Sequence, residues 1–514
     1  MRITNKIIQN NAISNINNNK VLEDQLNTQL STGSKVSRPS DDPVVAIRAL
    51  RLRTNLSQVT QYYEKNVPDA TSWLSVTEAA VDTTVNILTD MYEQCTKGSV
   101  GYDTASDREK ILESLEALRD ELYSTGDADY AGRYVFTGYR TGTSLSFAAD
   151  AATAPSYSIT EQLSAGNVKD MTYIDTAGLT DVTTSDIGTT QATEVTTNTV
   201  HRIRLAYDNC DSGVSPTISY YDADGNAVSV TATVMSVNGA ADPYLAANGS
   251  ASGAVFIPET GELILSDDLF ADLQGTLDDA TTQDVNEGEI RVTYTKSEFA
   301  SDDLRPEHYY NCTTTDAEGN TKTYNENFLD PLYTDAQVIN YDVGYNQSVR
   351  VNTMAKEVYT LDIGRDVDEL ITSINNVVEM EETIADLEKV LANSSADTTP
   401  TATEVQERLT AANKAYDLQK NKLQKDFEGG ITSMQGYIDQ ANKALTAVGN
   451  RQARVELVGN RLSSQQTSFK TLTSDNEDVD ATEVAVQLSS VELSYQAALM
   501  ATSKIAQTTL LNYL

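Results

Sequence analysis

The chain has 514 residues, with 37 Lys+Arg against 75 Asp+Glu and a net charge of −38, a balance that excludes binding to nucleic-acid phosphates over most of the surface. The length suits about two to four domains, and 39% apolar residues with a mean hydropathy of −0.37 are enough for ordinary water-soluble cores. No stretch reads as a membrane span, and residues 1–30 lack the apolar run and small-residue cleavage site of a secretory signal, so neither membrane insertion nor a cleaved leader is expected.

Residues 1–43 come first. Seven of the first nineteen residues are Asn, a poor helix former, yet Ile8, Ala12, Ile16, Leu22, Leu26 and Leu30 recur at helical spacing. The reading is a helix that is marginal alone and is ordered by a partner. Pro39 and Pro43 bar the α conformation at Arg38 and Asp42, while Ser40, Asp41 and Asp42 offer caps for a helix resuming at Val44. A fixed bend is expected there. In residues 44–135, Val45, Leu52, Leu56, Val59 and Tyr63 follow a 4-3 spacing with Ala49 in the remaining seam position. Leu74, Val81, Val85 and Leu88 continue a seam after a break at Pro68, so this part reads as long amphipathic helices of coiled-coil type.

Residues 136–350 differ in composition. They hold six of the ten prolines, fifteen of the 26 glycines, and 9 basic against 32 acidic residues, net −23, which leaves −15 for the two ends. Strands are read at Thr217–Tyr221 and Ala227–Val234 around Asp222-Ala223-Asp224-Gly225-Asn226, at Ala254–Ile257 and Glu262–Leu265 around Pro258-Glu-Thr-Gly261, and at Glu289–Lys296. Asp222-x-Asp224 and Asp316-x-Glu318 superficially suggest Ca²⁺ loops, but Thr233 stands where an EF-hand needs Glu, so hairpin turns are the better reading. The paired carboxylates Asp267-Asp268 and Asp302-Asp303 read as solvated surface.

Residues 351–482 read as a helical hairpin, about Asp366–Leu391 and Glu404–Leu445, split by Asn393–Thr403, followed by a stripe of Val458, Leu462, Gln465, Phe469 and Leu472. The acidic turn Ser474–Asp480 caps a last helix in residues 483–514, whose stripe is Val484, Leu488, Val491, Tyr495, Ala498 and Ile505. Both ends are helical and the β-rich region is an insertion between them, which implies an elongated α+β multidomain molecule whose ends meet in one helical body.

No catalytic motif emerges. Cys95, Cys210 and Cys312 are far apart and read as free thiols, His201 and His308 are the only histidines, and no nucleotide, zinc-protease or nucleophile-elbow signature is present. No cofactor, metal or nucleic-acid partner is expected. The glycosylation-type triplets at Asn248, Asn311, Asn346 and Asn393 are discounted for want of a secretory signal.

Particular residues carry a resemblance. Met1-Arg-Ile-Thr-Asn5, Leu30-Ser-Thr-Gly-Ser-Lys35, Arg38-Pro-Ser-Asp-Asp-Pro43, Asn66-Val-Pro-Asp-Ala70, Trp73-Leu-Ser75 and Gly132-Arg-Tyr-Val-Phe-Thr-Gly138 resemble, in that order, the N-terminal region of the flagellin family. Gly449-Asn-Arg451, Val458-Gly-Asn-Arg-Leu462, Glu477-Asp-Val-Asp480 and Thr509-Leu-Leu-Asn-Tyr-Leu514 are similar to its C-terminal region. Arg38-Pro39 and Pro43 around Asp41-Asp42, with Tyr134-Val-Phe-Thr-Gly138, favour the family's hook–filament junction type over filament flagellin.

The resemblance implies a structural, non-enzymatic role. It implies terminal helices, about Ile3–Leu30 and Glu483–Leu514, that pair as a coiled coil inside a tubular assembly, with the acidic β region facing outward. Ile8, Ile16, Leu22, Leu26, Leu30, Val484, Leu488, Val491, Tyr495 and Ile505 are then candidate assembly residues, and Arg38, Pro39, Asp41, Asp42 and Pro43 form the bend. Implied partners are a hook-side junction protein, flagellin, further copies of the chain in a ring, and an export chaperone on the C-terminal helix. The implied place is the extracellular flagellum, reached through flagellar type III export. A filament flagellin is the alternative, and a secreted glycan-binding or hydrolytic protein acting through residues 136–350 is the reading of a different class.

Overall fold

The computed structural model describes residues 5–100, 104–148, 150–176, 179, 187, 195–222, 226–239, 241–275, 289–329, 337–395 and 400–507. In chain order its longer helices are α1 (Asn5–Thr32), α2 (Pro43–Gln61), α3 (Val67–Gly98), α4 (Ala105–Gly126), α5 (Asp267–Gly275), α6 (Leu361–Ala392), α7 (Ala402–Glu477) and α8 (Ala481–Gln507). The strands are β1 (Asp129–Tyr130), β2 (Arg133–Tyr134), β3 (Ser156–Ser164), β4 (Val168–Asp175), β5 (Thr196–Arg204), β6 (Thr217–Tyr221), β7 (Ala227–Thr231), β8 (Thr233–Val234), β9 (Ala254–Ile257), β10 (Glu262–Leu265), β11 (Glu289–Lys296), β12 (Asn311–Thr315), β13 (Thr321–Tyr324), β14 (Asn340–Gly344) and β15 (Gln347–Arg350). Helices at both ends and a β-rich middle make an α+β chain. It divides into two compact units: residues 1–71, 341–349 and 453–514 form one, and residues 72–340 and 350–452 the other.

The larger unit has a helical core and two sheets. Trp73, Leu74, Val81, Leu88, Met91 and Cys95 of α3, Ile111, Leu115 and Leu122 of α4, Ile363, Val367, Ile374 and Val377 of α6, and Phe427, Met434, Ala441 and Val448 of α7 are all buried. Each set recurs at helical spacing, so each helix turns one apolar stripe inward. A capping box fixes the start of α4, with Asp107 N–H donating to Thr104 Oγ1 at 3.3 Å and the Asp107 carboxylate accepting in return.

One sheet has the order β13-β12-β3-β11-β6-β7, and the other β4-β5-β10-β9-β8. All pairs are antiparallel except β8 with β9. The alternation in β11 is strict, every second side chain being buried, and sets its register against β3, Val292 facing Glu161. β9 and β10 are buried throughout. Gly261 closes their turn with φ +61, and a Cβ there would lie 1.9 Å from the Tyr207 carbonyl oxygen, so no side chain fits.

Charge fastens the five-stranded sheet to the helices. Arg202 donates to Glu262 at 2.7 Å and to Glu369 at 2.9 Å, Arg204 reaches Glu369 at 2.9 Å and also Asp366, and the Tyr437 hydroxyl donates to Asp366 at 2.8 Å. Burial alone would raise the Glu369 pKa, yet Arg202 and Arg204 hold it below the usual range. Such a network fixes orientation more than it adds stability, because desolvation offsets much of its attraction.

Several expected boundaries move. The helix after the bend starts at Pro43 rather than Val44, with Asp42 as its cap. There is no break at Pro68: a single π turn, Tyr62–Asn66, joins α2 to α3, and the chain stays helical through the proline. The hairpin helix read as ending at Leu445 continues to Glu477, a single helix of 76 residues. Of the suspected Ca²⁺ loops, residues 223–225 lie outside the described residues. At the other, Asp316 Oδ1 accepts the Asn320 N–H at 2.7 Å and joins β12 to β13 as a hairpin turn.

Candidate assembly interface

The smaller unit is where the two chain ends meet, and it carries every residue put forward for assembly. α1 ends on Gly33, whose φ of +69 is open to glycine without strain and whose N–H donates to the Gln29 carbonyl at 2.8 Å. The chain then crosses the other end of the sequence. Lys35 N–H donates to the Glu477 carbonyl at 2.7 Å, Val479 N–H to the Gly33 carbonyl at 3.0 Å, and Lys35 Nζ to the Asp475 carbonyl at 2.6 Å. Ser34 and Asp478 form an antiparallel bridge. These bonds place the end of α1 beside the start of α8, and the two helices pack on one another, running back antiparallel.

The bend follows directly. Asp41 accepts the Arg38 N–H at 3.0 Å and the Ser37 hydroxyl at 3.2 Å, while its own N–H donates to the Arg38 carbonyl at 2.9 Å. Asp42 Oδ1 accepts the N–H groups of Val44 at 2.9 Å and Val45 at 3.1 Å, with Pro43 at the first helical position. The two carboxylates therefore have different tasks, Asp41 closing the turn and Asp42 starting α2.

α2 lies antiparallel to the last third of α7. Asn476 donates to the Val45 carbonyl at 3.2 Å, and Gln466 donates to Thr60 Oγ1 at 3.1 Å and Glu64 Oε1 at 2.9 Å. Near the far end, a Cβ on Gly459 would sit 3.2 Å from a Val67 methyl. Val45, Ala49, Leu52, Leu56, Val59 and Tyr63 form the half-buried seam, as their spacing predicts. On α7 the seam is Val455, Val458, Leu462, Gln466, Phe469 and Thr473, so the expected Gln465 and Leu472 are corrected to their neighbours, Leu472 being exposed. The spacing from Val455 to Gln466 is 3-4-4, eleven residues, which advances the stripe by one position relative to a strict heptad.

The terminal pair is sorted in the same way. α8 turns Val484, Leu488, Val491, Tyr495 and Ala498 inward, at the expected 4-3 spacing, and the side chain of Ile505 lies outside the described residues. α1 turns in Gln9, Ala12, Ile16, Asn19, Glu23 and Leu26, so Ile16 and Leu26 lie on the seam while Ile8, Leu22 and Leu30 lie on exposed faces. The sequence stripe joined two faces because polar residues occupy half of the true seam. Among the described residues this pair is thin, Leu26 and Val484 being its buried hydrophobics.

The exposed face of α8 went unread in the sequence. Val486, Leu493 and Met500, seven residues apart, are 67%, 69% and 70% exposed. A heptad of bare apolar side chains on a helix that already has one apolar seam is a second seam, left uncovered among the described residues.

Among the described residues no group of three His, Cys, Asp or Glu side chains is placed to hold a metal ion, and no described helix is long and apolar enough to cross a membrane. A cavity of about 480 Å³ in the larger unit is lined by Arg202, Arg204, Glu262 and Glu369, whose charges already pair with one another. The three cysteines are buried, and desolvation pushes each thiol up to about 12, which leaves no thiolate to react at neutral pH.

Comparison with known proteins agrees with this arrangement. Residues 3–141 match the bacterial flagellin N-terminal helical region, and residues 431–514 match the bacterial flagellin C-terminal helical region. Both ends of the chain are thus similar to the helical regions of bacterial flagellin. Flagellar hook-associated protein 3 of Salmonella typhimurium is 30% identical over 142 residues, 27% of this chain and 44% of that protein. The Escherichia coli protein of the same name is 29% identical over 144 residues, 28% and 45% respectively. Flagellin B of Vibrio cholerae is 30% identical over 127 residues, 24% of this chain and 34% of that one. The chain thus spans less than half the length of the hook-associated proteins it matches. Among solved structures, a flagellar hook-associated protein of Vibrio parahaemolyticus covers 85% of this chain and 100% of its own at 13% identity and a TM-score of 0.35. The flagellar junction protein FlgL of Legionella pneumophila covers 80% and 99% at 11% identity and a TM-score of 0.26.

Proposed function

We propose that this chain is a structural, non-catalytic component of the bacterial flagellum that sits at the junction of hook and filament and assembles through its terminal helices. The observation that carries the proposal is the α1–α8 pair, closed by the 33–35/477–479 crossing and bearing a second apolar seam at Val486, Leu493 and Met500. Covering that seam removes apolar surface from water at about 25 cal/mol per Å², the driving force for packing such pairs around a tube.

In this reading Ile8, Leu22 and Leu30 face neighbouring subunits, Ile16, Leu26, Val484, Leu488, Val491 and Tyr495 hold the pair together, and Ile505 extends it. Arg38, Pro39, Asp41, Asp42 and Pro43 set the angle between the terminal pair and the α2–α7 pair. Neighbours in the assembly are a hook-side junction protein, flagellin and further copies in a ring, and before assembly an export chaperone covers α8. The location is extracellular, on the flagellum.

Deleting residues 481–514 tests the proposal. Loss of the chain from purified flagella, with the truncated protein still made, is the expected result, and normal incorporation refutes it. The similarity to flagellin B favours a filament subunit as second reading; position and abundance separate the two, a filament subunit being present along the whole length.

A further inference from the structure

The cavity of about 480 Å³ in the larger unit lies where the five-stranded sheet meets α6 and α7. β4 and β5 supply Tyr173 and Arg202, α6 and α7 supply Glu369 and Gln419, and the segments between strands add Tyr244 and Glu259. A concave space of this size suits a small molecule. Its lining residues run from Met171 to Lys422, outside both stretches that match the flagellin helical regions.

Four basic and five acidic residues line the cavity, a surplus of one carboxylate. Arg202 pairs with Glu262 and Glu369, Arg204 with Glu369, Arg365 with Asp208 at 3.7 Å, Asp368 with Arg119 at 2.5 Å, and Lys422 with Asp426 at 2.6 Å. Among the charged lining residues Glu259 is the one without a basic partner among the described residues. The Ser236 hydroxyl donates to its Oε1, and its Oε2 is buried with no hydrogen bond. Gln419 Oε1, also in the lining residues, is a second buried acceptor without a donor. Acceptors shut off from water and left without donors are costly, so a ligand that brings the donor is favoured. Glu259 is half-buried, and rotation about its last side-chain torsion, which is broad and two-fold, presents Oε2 to the cavity.

Two tyrosines complete the site. Their rings stack with centroids 4.6 Å apart and planes 18° from parallel. The Tyr173 hydroxyl is tied to Asp242 at 2.5 Å and the Tyr244 hydroxyl to Glu262 at 2.8 Å, so the rings are held in place and offer their faces and edges rather than free O–H groups. Met171, Ile174 and the exposed Val237 add apolar lining. We propose that this cavity binds a small organic cation, a primary ammonium on a ring or short aliphatic body, with Glu259 taking the ammonium and the tyrosines its body. The carboxylate gains a charge-assisted hydrogen bond and the rings a cation–π contact. A neutral sugar would leave Glu259 uncompensated, and an anion would meet it as a like charge. The inference goes beyond the proposed assembly role: no lining residue belongs to the smaller unit.

The test is calorimetric titration of the full purified chain at low salt. Glucosamine and cadaverine are the ring and chain amines, with N-acetylglucosamine and pentanol as their neutral counterparts. Saturable binding of at least one amine, about tenfold tighter than its counterpart, is expected, and it should weaken as pH rises through the ligand's own ammonium pKa. Glu259→Gln keeps the volume and an acceptor for Ser236 but removes the charge, and should weaken binding about tenfold. Val237→Trp adds bulk where the lining is exposed and should weaken it as well, with circular dichroism unchanged in both variants. No saturable binding of either amine, equal binding of the neutral counterpart, or binding that survives either substitution would overturn the proposal.

Discussion

Arg53 grips Glu477 across 424 residues of sequence, its Nε 2.8 Å from Oε1 and 3.0 Å from Oε2. The pair marks the place where the end of α7 meets α2, yet it is not what holds them together. Arg53 is exposed, and an exposed ion pair contributes only about 0–1 kcal/mol.

Leu462 lies in the same interface and is 3% exposed. Leu462→Ala is expected to cost about 2–5 kcal/mol, and Glu477→Ala no more than about 1 kcal/mol. Denaturant melts of the two variants check the ordering; an equal or inverted ranking would mean that charge, not the seam, organises the chain ends.

The bend rests on Asp42. Asp42→Ala removes the acceptor for two N–H groups at the start of α2 and should cost about 0.5–2 kcal/mol, while Asp42→Asn should retain most of the cap. Hydrogen exchange at Val44 and Val45 reads this locally, with faster exchange expected in the alanine variant alone.

Much of this region was legible in the sequence, and the failures have definite causes. The α2 seam and the α8 stripe from Val484 to Ala498 coincide with the inward faces because both keep an unbroken 4-3 spacing of apolar residues. In α1 the inward positions include Gln9, Asn19 and Glu23, so hydrophobicity could not locate the face. In α7 the eleven-residue step before Gln466 displaced the reading by one. β6, β9, β10 and β11 were visible from turn residues and alternation. β3, β4, β5, β12 and β13, rich in Ser, Thr and charged residues, passed unread because their fit depends on cross-strand partners distant in sequence.

Acid stability should reflect two buried groups of opposite sign. Burial pushes Glu161 up to about 7 from 4.5, against the hydrogen bonds of Tyr294 and Ala206. Its folded form binds the proton more tightly than the unfolded chain, so this group weakens the fold as pH rises from about 4.5 to 7. Burial lowers His308 from 6.5 to about 4, so that group weakens the fold as pH falls from about 6.5 to 4. Asp303 and Asp368, raised by burial, act in the direction of Glu161. Glu161→Gln should therefore make stability fall more steeply toward acid, and His308→Gln should do the reverse, as read by denaturation followed through Trp73, which is fully buried.

The thiols offer a test of packing. Native chain should resist maleimide at neutral pH, and Cys95, Cys210 and Cys312 should label together on unfolding. Rapid labelling of one cysteine in the native chain would show that its surroundings open locally.

Position in the flagellum is the central claim, and electron microscopy of native flagella labelled with an antibody against residues 136–350 measures it directly. The account predicts one narrow band of label at the boundary between hook and filament. Label along the whole filament, or none on flagella, would contradict it.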